Sequence, residues 1–133
     1  MGLNKTNVLM EKNSSFTTLE VWKKSRELKM ALFELIKSFP NEEKYRLSDQ
    51  IVRSARSISA NIAEGHGRYT YKDQLHFCII SRGSLSETHN HIIDAYDCNY
   101  ISKQQLNEIE QELITLRKLL NGYISFIRKS ITK

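Results

Sequence analysis

The most regular hydrophobic pattern in the chain lies between residues 102 and 131, which read SKQQLNEIEQELITLRKLLNGYISFIRKSI. Its apolar side chains recur at alternating spacings of three and four: Leu106, Ile109, Leu113, Leu116, Leu120, Tyr123 and Ile127. This spacing puts them on one face of an α-helix, which must be buried against other elements. Ser102 begins this helix, and Gly122 interrupts it at a cost of about 1 kcal/mol relative to alanine.

Three further segments show the same spacing of apolar residues and are predicted to be helices. Each begins at a residue whose hydroxyl can accept a backbone N–H, and these predicted caps are Thr17, Ser48 and Thr70. Each ends where helical geometry is interrupted, and these predicted stops are Pro40, the pair Gly65 and Gly67, and the turn that starts at Asp97. The two glycines are expected to close the second helix in left-handed geometry. Gly83, inside the third helix, is expected to permit close contact with a neighbouring helix.

Four helices joined by short connectors predict an all-α fold, an antiparallel up-down-up-down four-helix bundle. The chain has 133 residues, enough for one domain with its own core, and the bundle is assigned to residues 17–133. Residues 1–16 are polar and unpatterned and are expected to form a flexible N-terminal tail. One proline and five glycines are too few for the tight turns of an all-β fold. No apolar run is long enough to span a membrane, and two cysteines, Cys78 and Cys98, fit a reducing cytoplasm.

The net charge of +5 is unevenly distributed along the chain and suggests an anionic partner. The third helix is acidic, whereas the other three helices carry most of the basic residues. Arg53 and Arg56 share one helical face with no acidic residue between them. Arg68 and Lys72 flank the start of the third helix, whose first N–H groups could receive a phosphate. The candidate nucleic-acid-binding residues are Arg53, Arg56, Arg68, Lys72, Arg117 and Lys118, with an ordinary solvated face as the alternative.

Two other sets of side chains lie at positions that an isolated amphipathic bundle does not explain. Polar residues at nominally inward positions are predicted to pair with one another in a structural network that fixes helix register, rather than to act in catalysis: Asn61, Glu64, Arg82 and Glu87. Large apolar residues away from the main stripes are predicted to form an oligomer interface: Trp22, Phe33 and Val52.

No combination of residues predicts a catalytic or metal site, so the chain is not expected to be an enzyme or to need a cofactor. Glu87 and His91 share a helical face, but the chain has no Glu-x-x-His pair of the kind that di-iron bundles use. Cys78 lies among apolar neighbours and is expected to be a core residue with an unperturbed thiol. The Gly65–Arg68 segment lacks the Lys-Ser/Thr ending of a phosphate-binding loop.

The second helix and its exit carry a set of motifs that points to a known family. Residues 58–68 read ISANIAEGHGR, DQIVRSA precedes them at residues 49–55, and GSLSE follows at residues 83–87. In this order and spacing the motifs resemble the four-helix-bundle family encoded by intervening sequences of bacterial 23S rRNA. The resemblance extends from Leu19 to Arg128. Ser59 departs from it, because the family usually carries proline there, so the second helix is expected to be straighter.

The resemblance implies a bacterial cytoplasmic protein whose relatives assemble as ring-like homopentamers. The chain is also similar to the accessory proteins of diversity-generating retroelements, which are basic pentamers that associate with nucleic acid and a reverse transcriptase. No catalytic residue is implied. Among the matched polar positions are Asn61, Glu64, Arg68 and Glu87, and their implied role is to hold the bundle or its oligomer together.

The sequence therefore favours a non-enzymatic oligomeric bundle that binds RNA or DNA through phosphate contacts. This hypothesis depends on the segregated basic residues and on the family resemblance. A protein–protein scaffold or assembly adaptor with no nucleic-acid role is the alternative, in which the oligomer surface itself is the functional object.

Overall fold

The structure is a computed structural model that describes residues 15–131. Its four α-helices are α1 (Glu20–Leu35), α2 (Leu47–His66), α3 (Tyr71–Asp97) and α4 (Lys103–Ile131). Short 3-10 turns precede α1 and join it to α2, at Phe16–Thr18, Ile36–Ser38 and Asn41–Glu43. Within residues 15–131 there is no β-strand, so the predicted all-α class is confirmed.

The helices pack as a four-helix bundle in the predicted up-down-up-down order. Each helix contacts its neighbour in sequence, most extensively between α2 and α3, and α1 packs against α4 to close the bundle. The helix pairs α1/α3 and α2/α4 therefore lie diagonally across the core. The completely buried large side chains include Leu32, Ile51, Ile62, Leu85, Ile92, Leu116 and Leu120. No helix in the described part of the chain is long and apolar enough to cross a membrane.

Two of the four predicted helix starts are capped as expected. Thr70 Oγ1 accepts the Asp73 N–H at 3.2 Å. At the start of α4, Ser102 Oγ accepts the Gln105 N–H at 3.1 Å, and Gln105 Oε1 accepts the Ser102 N–H at 2.8 Å. This reciprocal pair is a complete capping box, which satisfies two N–H groups that the helix itself leaves unpaired.

The other two predicted caps are wrong. Ser15 caps a 3-10 turn by accepting the Thr17 N–H, and α1 begins only at Glu20, after Leu19, which provides no side-chain cap. Thr17 therefore lies inside that turn. Helix α2 begins at Leu47, one residue before the predicted cap Ser48, and Ser48 is buried in its first turn.

One helix end, that of α2, differs from the sequence prediction. Helical geometry stops before Pro40 as predicted, with Phe39 extended at ψ 154°. Helix α2, however, continues through Gly65 to His66, and Gly67 closes it at φ −80°, in right-handed geometry. The expected left-handed glycine closure is therefore wrong. Asn99, in the predicted turn after α3, has a left-handed backbone at φ 63°.

Gly65 is required by packing instead. A Cβ atom at this position would lie 2.9 Å from Phe77 Cβ and 3.1 Å from the Gln74 carbonyl oxygen, so α2 and α3 approach too closely for any side chain. Gly83, which was expected to make such a contact, is exposed. Among residues 15–131, no heavy atom outside the adjoining backbone lies within 4 Å of a Cβ built at Gly83. That expectation is therefore wrong within the single chain.

The two ends of the chain fall partly outside the described residues. Residues 1–14 of the predicted tail and residues 132–133 of the predicted bundle lie outside the described residues. Phe16, assigned to the tail, is described: it begins the first 3-10 turn, and its ring lies edge-on to Trp22 with centroids 5.1 Å apart.

Candidate nucleic-acid interface

Helix α2 carries arginines along the side opposite its buried face. Ile51, Ile58 and Ile62 point into the core, so Arg53 and Arg56 project to solvent. The line continues through Ala60 and Glu64 to Arg68, just beyond the helix end. Arg53, Arg56 and Arg68 are called the α2 ridge below. At 1.5 Å per residue, the ridge runs about 20 Å from Arg53 to the end of the helix.

Two of the ridge arginines each form an exposed ion pair with a carboxylate that lies one helical turn earlier in the chain. Arg53 Nε lies 2.9 Å from Asp49 Oδ2, and the Arg53 side chain is 78% exposed. Arg68 Nε lies 3.3 Å from Glu64 Oε2. Exposed pairs of this kind contribute about 0–1 kcal/mol to stability. Either guanidinium can therefore exchange its carboxylate for a phosphate at little cost.

Two of the ridge guanidiniums also lie over aromatic rings from neighbouring helices. Arg56 lies over the Phe33 ring of α1 at 5.3 Å, and Arg68 lies over the Phe77 ring of α3 at 4.7 Å from the centroid. A guanidinium stacked on a ring keeps its N–H edges available for bidentate contacts with phosphate. The aromatic rings thus restrict the Arg56 and Arg68 side chains to positions at which a phosphate backbone could contact them.

The start of α3 adjoins the ridge at Arg68. Gln74 Nε2 donates to the Arg68 carbonyl oxygen at 3.0 Å, which holds the connecting turn against α3. Lys72 is exposed in the first helical turn. The carboxylate of Asp73 is in the same turn, where it already complements the partial positive charge of the helix N-terminus. Lys72 therefore adds a cation beside the ridge, but the helix end itself is not left without an anion.

Arg117 and Lys118 lie apart from the other four predicted contact residues. Both are on α4, which is diagonal to α2 in the bundle. Arg117 Nη2 donates to Ser86 Oγ on α3 at 3.2 Å, so it faces the α3/α4 side. The six predicted residues thus do not form one continuous surface on a single chain.

The four polar residues predicted to pair with one another have other partners. Asn61 donates from Nδ2 to the Ser57 carbonyl oxygen at 2.8 Å, and Arg82 donates to Asn121 Oδ1 at 3.1 Å. Glu64 binds Arg68 as described above, and Glu87 binds His91 at 3.1 Å. Glu64 and Glu87 are both exposed. The predicted mutual network is therefore wrong, because Arg82 bonds across to α4 whereas the exposed Glu87 pairs with His91 of its own helix.

A network of hydroxyl groups at the α2/α3 contact takes the role that was assigned to these residues. Thr88 Oγ1, which is completely buried, lies 2.8 Å from both Ser54 Oγ and the Ser84 carbonyl oxygen. Ser84 Oγ in turn lies 2.7 Å from Ser57 Oγ, to which Asn61 Nδ2 donates at 3.0 Å. The sequence signal for this network was the presence of small hydroxyl residues at core spacing.

The three residues predicted for an oligomer interface are partly buried within the chain. Trp22 packs against the core and lies beneath Arg26 at 5.7 Å, and Phe33 lies beneath Arg56. Val52 lines a shallow depression between the ends of α1 and α2. Their contact with a second copy stays a prediction. More exposed apolar side chains, which the sequence reasoning missed, lie on α3 and α4: Ile79, Ile80, Ile93, Ile114, Leu119 and Phe126.

The thiols and imidazoles of the bundle are engaged in structural contacts. Burial raises the pKa of Cys78 to about 11, so the expected unperturbed thiol is wrong, although its core position is confirmed. His89 Nε2 lies 2.7 Å from Glu110 Oε2 of α4. In the region spanning residues 15–131, no group of three or more His, Cys, Asp or Glu residues is arranged to hold a metal ion.

A depression in the described surface lies between α1 and α4 and has a volume of about 470 Å³. Its floor is apolar, formed by residues such as Leu28, Leu32 and Ile109, and Glu108 and Glu112 stand at its edge. Neither a cysteine nor a histidine lines it. Its ionisable groups are the two carboxylates, Glu108 and Glu112.

Comparison with known proteins agrees with this architecture. Residues 17–122 match the family model of the 23S rRNA-intervening sequence protein. A solved structure from Bacteroides thetaiotaomicron, described as a protein of unknown function from the S23 ribosomal protein family, is 30% identical and superposes with a TM-score of 0.73. The match covers 79% of this chain and 95% of that one. No curated protein matches the chain. Because the family model matches from before α1 to residue 122 within α4, the chain belongs to the 23S rRNA-intervening sequence protein family.

Proposed function

We propose that this chain is a non-enzymatic, oligomeric helical-bundle protein that binds RNA or DNA, with the α2 ridge contacting the phosphates. The observation that carries the proposal is the line of three exposed arginines, two of which are stacked on Phe33 and Phe77. The ridge is a rigid helical surface, so its cations are presented at fixed spacing. Lys72 extends it at the start of α3.

The chemistry of the ridge suits the phosphate backbone better than it suits base edges. Guanidinium groups bind phosphate through two parallel N–H contacts. Contacts of this kind carry no direct sequence information, so recognition of the nucleic acid by the ridge depends on its shape and charge. The net charge of +5 supports association with a polyanion over the whole surface.

An equilibrium titration of a labelled single-stranded RNA and of a duplex DNA tests the proposal. A variant with Arg53, Arg56 and Arg68 changed to alanine is expected to bind at least about tenfold more weakly, or about 1.4 kcal/mol. The matched control changes the exposed residues Lys23, Lys44 and Lys103 to alanine, which removes the same charge elsewhere. Equal loss in the two variants would contradict a specific role for the ridge, and absence of binding by the wild type would refute the function.

The oligomer belongs to the same proposal. The family resemblance supports a homopentamer in the cytoplasm, and the exposed apolar side chains on α3 and α4 support self-association. In a ring, ridges from several copies would lie around one axis, and one nucleic acid could contact more than one of them. Such multivalent contact raises affinity without new interactions in the single chain.

The exposed apolar side chains also favour a second candidate, a protein–protein scaffold with no nucleic-acid role. Co-purification distinguishes the two. Protein partners that remain bound after nuclease treatment favour the scaffold, whereas bound RNA or DNA that nuclease releases favours the first proposal.

A further inference from the structure

One side of α3 presents an uncharged stripe to solvent. The stripe repeats at spacings of three and four, and its members are Ile79, Gly83, Ser86, Asn90 and Ile93. Ile79 is 41% exposed and Ile93 is 39% exposed, although isoleucine is seldom favoured at the surface of a helix. The stripe extends about 21 Å along the helix axis.

A second uncharged stripe lies on the C-terminal half of α4, with the members Thr115, Leu119, Gly122 and Phe126. Phe126 is 60% exposed and stacks at 6.5 Å on Tyr123 of the same helix. Earlier on this side of α4, Glu112 binds Lys24 of α1. Because α1 has only 16 residues and α4 has 29, α1 does not extend along this part of α4. The α4 stripe is about 17 Å long, similar to the α3 stripe.

Each stripe contains a glycine that the single chain does not explain. Among the residues that the structure describes, no heavy atom outside the adjoining backbone lies within 4 Å of a Cβ built at Gly83 or Gly122. An exposed glycine inside a helix costs about 1 kcal/mol relative to alanine. A glycine beside a large apolar side chain, as Gly83 is beside Ile79 and Gly122 is beside Leu119 and Phe126, leaves a notch that lets another helix approach closely.

The two stripes lie in segments of opposite charge. From Ile79 to Asp97, α3 contains three acidic residues, Glu87, Asp94 and Asp97, against one cation, Arg82. From Leu113 to Ile131, α4 contains no acidic residue, and its cations are Arg117, Lys118, Arg128 and Lys129. In an antiparallel pair, the second half of α3 lies beside the first half of α4, so these charged segments do not face each other within one chain. Arg117 is an exception, since it reaches Ser86.

We infer that the α3 stripe of one copy packs against the α4 stripe of the next copy. This inference rests on the oligomer in the proposed function and assigns the surfaces that form it. Similar lengths, a glycine notch in each stripe and opposite flanking charge all favour this pairing. The alternatives α3 with α3 and α4 with α4 would bring like charges together.

Because the two stripes are different surfaces, the contact is heterologous: each copy has one donor face and one acceptor face. Repetition of such a contact produces a ring when the rotation closes. A nucleic acid is a poor occupant of the α3 stripe, since its flanking charges are mainly acidic and phosphate binding requires cations. The α2 ridge lies on another helix and stays accessible beside this interface.

Two substitutions that block one face each provide the test, with the mass in solution as the readout. Gly83→Arg blocks the α3 stripe and Gly122→Arg blocks the α4 stripe, and both positions have room for a side chain in the single chain. Each variant alone is expected to be a monomer of 15.5 kDa. An equimolar mixture is expected to form dimers, through the one α3/α4 pair that is intact. The control Ala60→Arg, at an exposed position of α2, is expected to keep the wild-type mass.

The other outcomes overturn the inference in distinguishable ways. A wild-type oligomer whose mass neither glycine substitution changes would overturn the assignment of the surfaces and leave the proposed oligomer intact. A dimer formed by either variant alone, or a mixture that remains monomeric, would overturn the α3/α4 pairing. A monomeric wild type would overturn the proposed oligomer as well. Far-ultraviolet circular dichroism confirms folding of each variant, and RNA titration of the monomers tests the ridge separately.

Discussion

At the scale of single residues, Gly65 lies where α2 and α3 approach each other too closely to leave room for a Cβ atom. Alanine at this position would place Cβ 2.9 Å from Phe77 Cβ, and the other neighbour, the Gln74 carbonyl oxygen, belongs to the backbone. Neither atom is the mobile end of a long side chain. The contact can therefore be relieved only by moving α2 away from α3, where the hydroxyl network lies.

We expect Gly65→Ala to lower the free energy of unfolding. Overpacking costs about 1–3 kcal/mol, which exceeds the gain of about 1 kcal/mol in helix propensity. The matched control is Gly67→Ala, whose Cβ would make only ordinary contacts at 3.6 Å or more. Urea unfolding measures both. An equal effect of the two substitutions would show that α2 and α3 are not closely packed at Gly65.

Thr88 and Ser54 are expected to be energetically coupled. Thr88→Val removes the hydroxyl that lies 2.8 Å from Ser54 Oγ in the core and should cost about 1–2 kcal/mol. Adding Ser54→Ala should then cost less than it does in the wild type, because its buried partner is already gone. A double-mutant cycle of unfolding free energies measures the coupling. Strict additivity would contradict the hydrogen bond.

The buried thiol of Cys78 is expected to lower the stability of the folded chain at alkaline pH. Its pKa is about 11 in the folded chain against an ordinary value of 9.0, because the thiolate is disfavoured in the core. Between these values the unfolded chain releases a proton that the folded chain retains, so the free energy of unfolding falls as pH rises. The expected loss from this group is about 2 kcal/mol. Unfolding of wild type and Cys78→Ala across this range measures it, and identical pH dependence would contradict the burial of the thiol.

At the scale of secondary structure, the four helices were predictable from the spacing of apolar residues, whereas some of their starts were not. Thr17, Thr70 and Ser102 all begin the same kind of local motif. Only the last two cap a helix, since the turn at Phe16–Thr18 and the packing of Phe16 on Trp22 intervene at the first. The motif describes local hydrogen bonding, and tertiary contacts decide which residue is used.

Alanine substitutions of Thr17, Thr70 and Ser102 test which of these residues cap a helix. Thr70→Ala and Ser102→Ala should each lower the free energy of unfolding by about 1 kcal/mol, the usual contribution of an N-cap. Thr17→Ala should have a much smaller effect, because Thr17 is not the cap of α1. Thermal or urea unfolding provides the values. A loss at Thr17 as large as that at Ser102 would contradict the observed start of α1.

The candidate site was predictable only in part, because some of its contacts depend on how the helices pack against one another. The shared face of Arg53 and Arg56 follows from their spacing along one helix. The stacking of Arg56 on Phe33 depends on the axial register of α1 against α2, which no local pattern encodes. The same applies to Arg82, whose partner Asn121 lies on α4. Gly83 and Gly122 were visible in the sequence, but their lack of contacts required the packed bundle.

At the scale of the whole molecule, the basic α2 ridge and the uncharged stripes are on different helices of the bundle. The α2 ridge lies on one helix, and the uncharged stripes lie on α3 and α4. In the proposed assembly, one surface binds a polyanion while the others hold copies together. Arg117 and Lys118, first considered with the ridge, border the proposed interface instead.

The salt dependence of RNA binding tests the central claim, that the α2 ridge contacts phosphates. For single-stranded nucleic acid, each phosphate contact contributes about 0.7 to the slope of log affinity against log salt concentration. The alanine variant of Arg53, Arg56 and Arg68 should therefore show a slope smaller by about 2 than the wild type. The Lys23, Lys44 and Lys103 control should keep the wild-type slope. A ridge variant with an unchanged slope, or wild-type binding that salt does not weaken, would contradict the account.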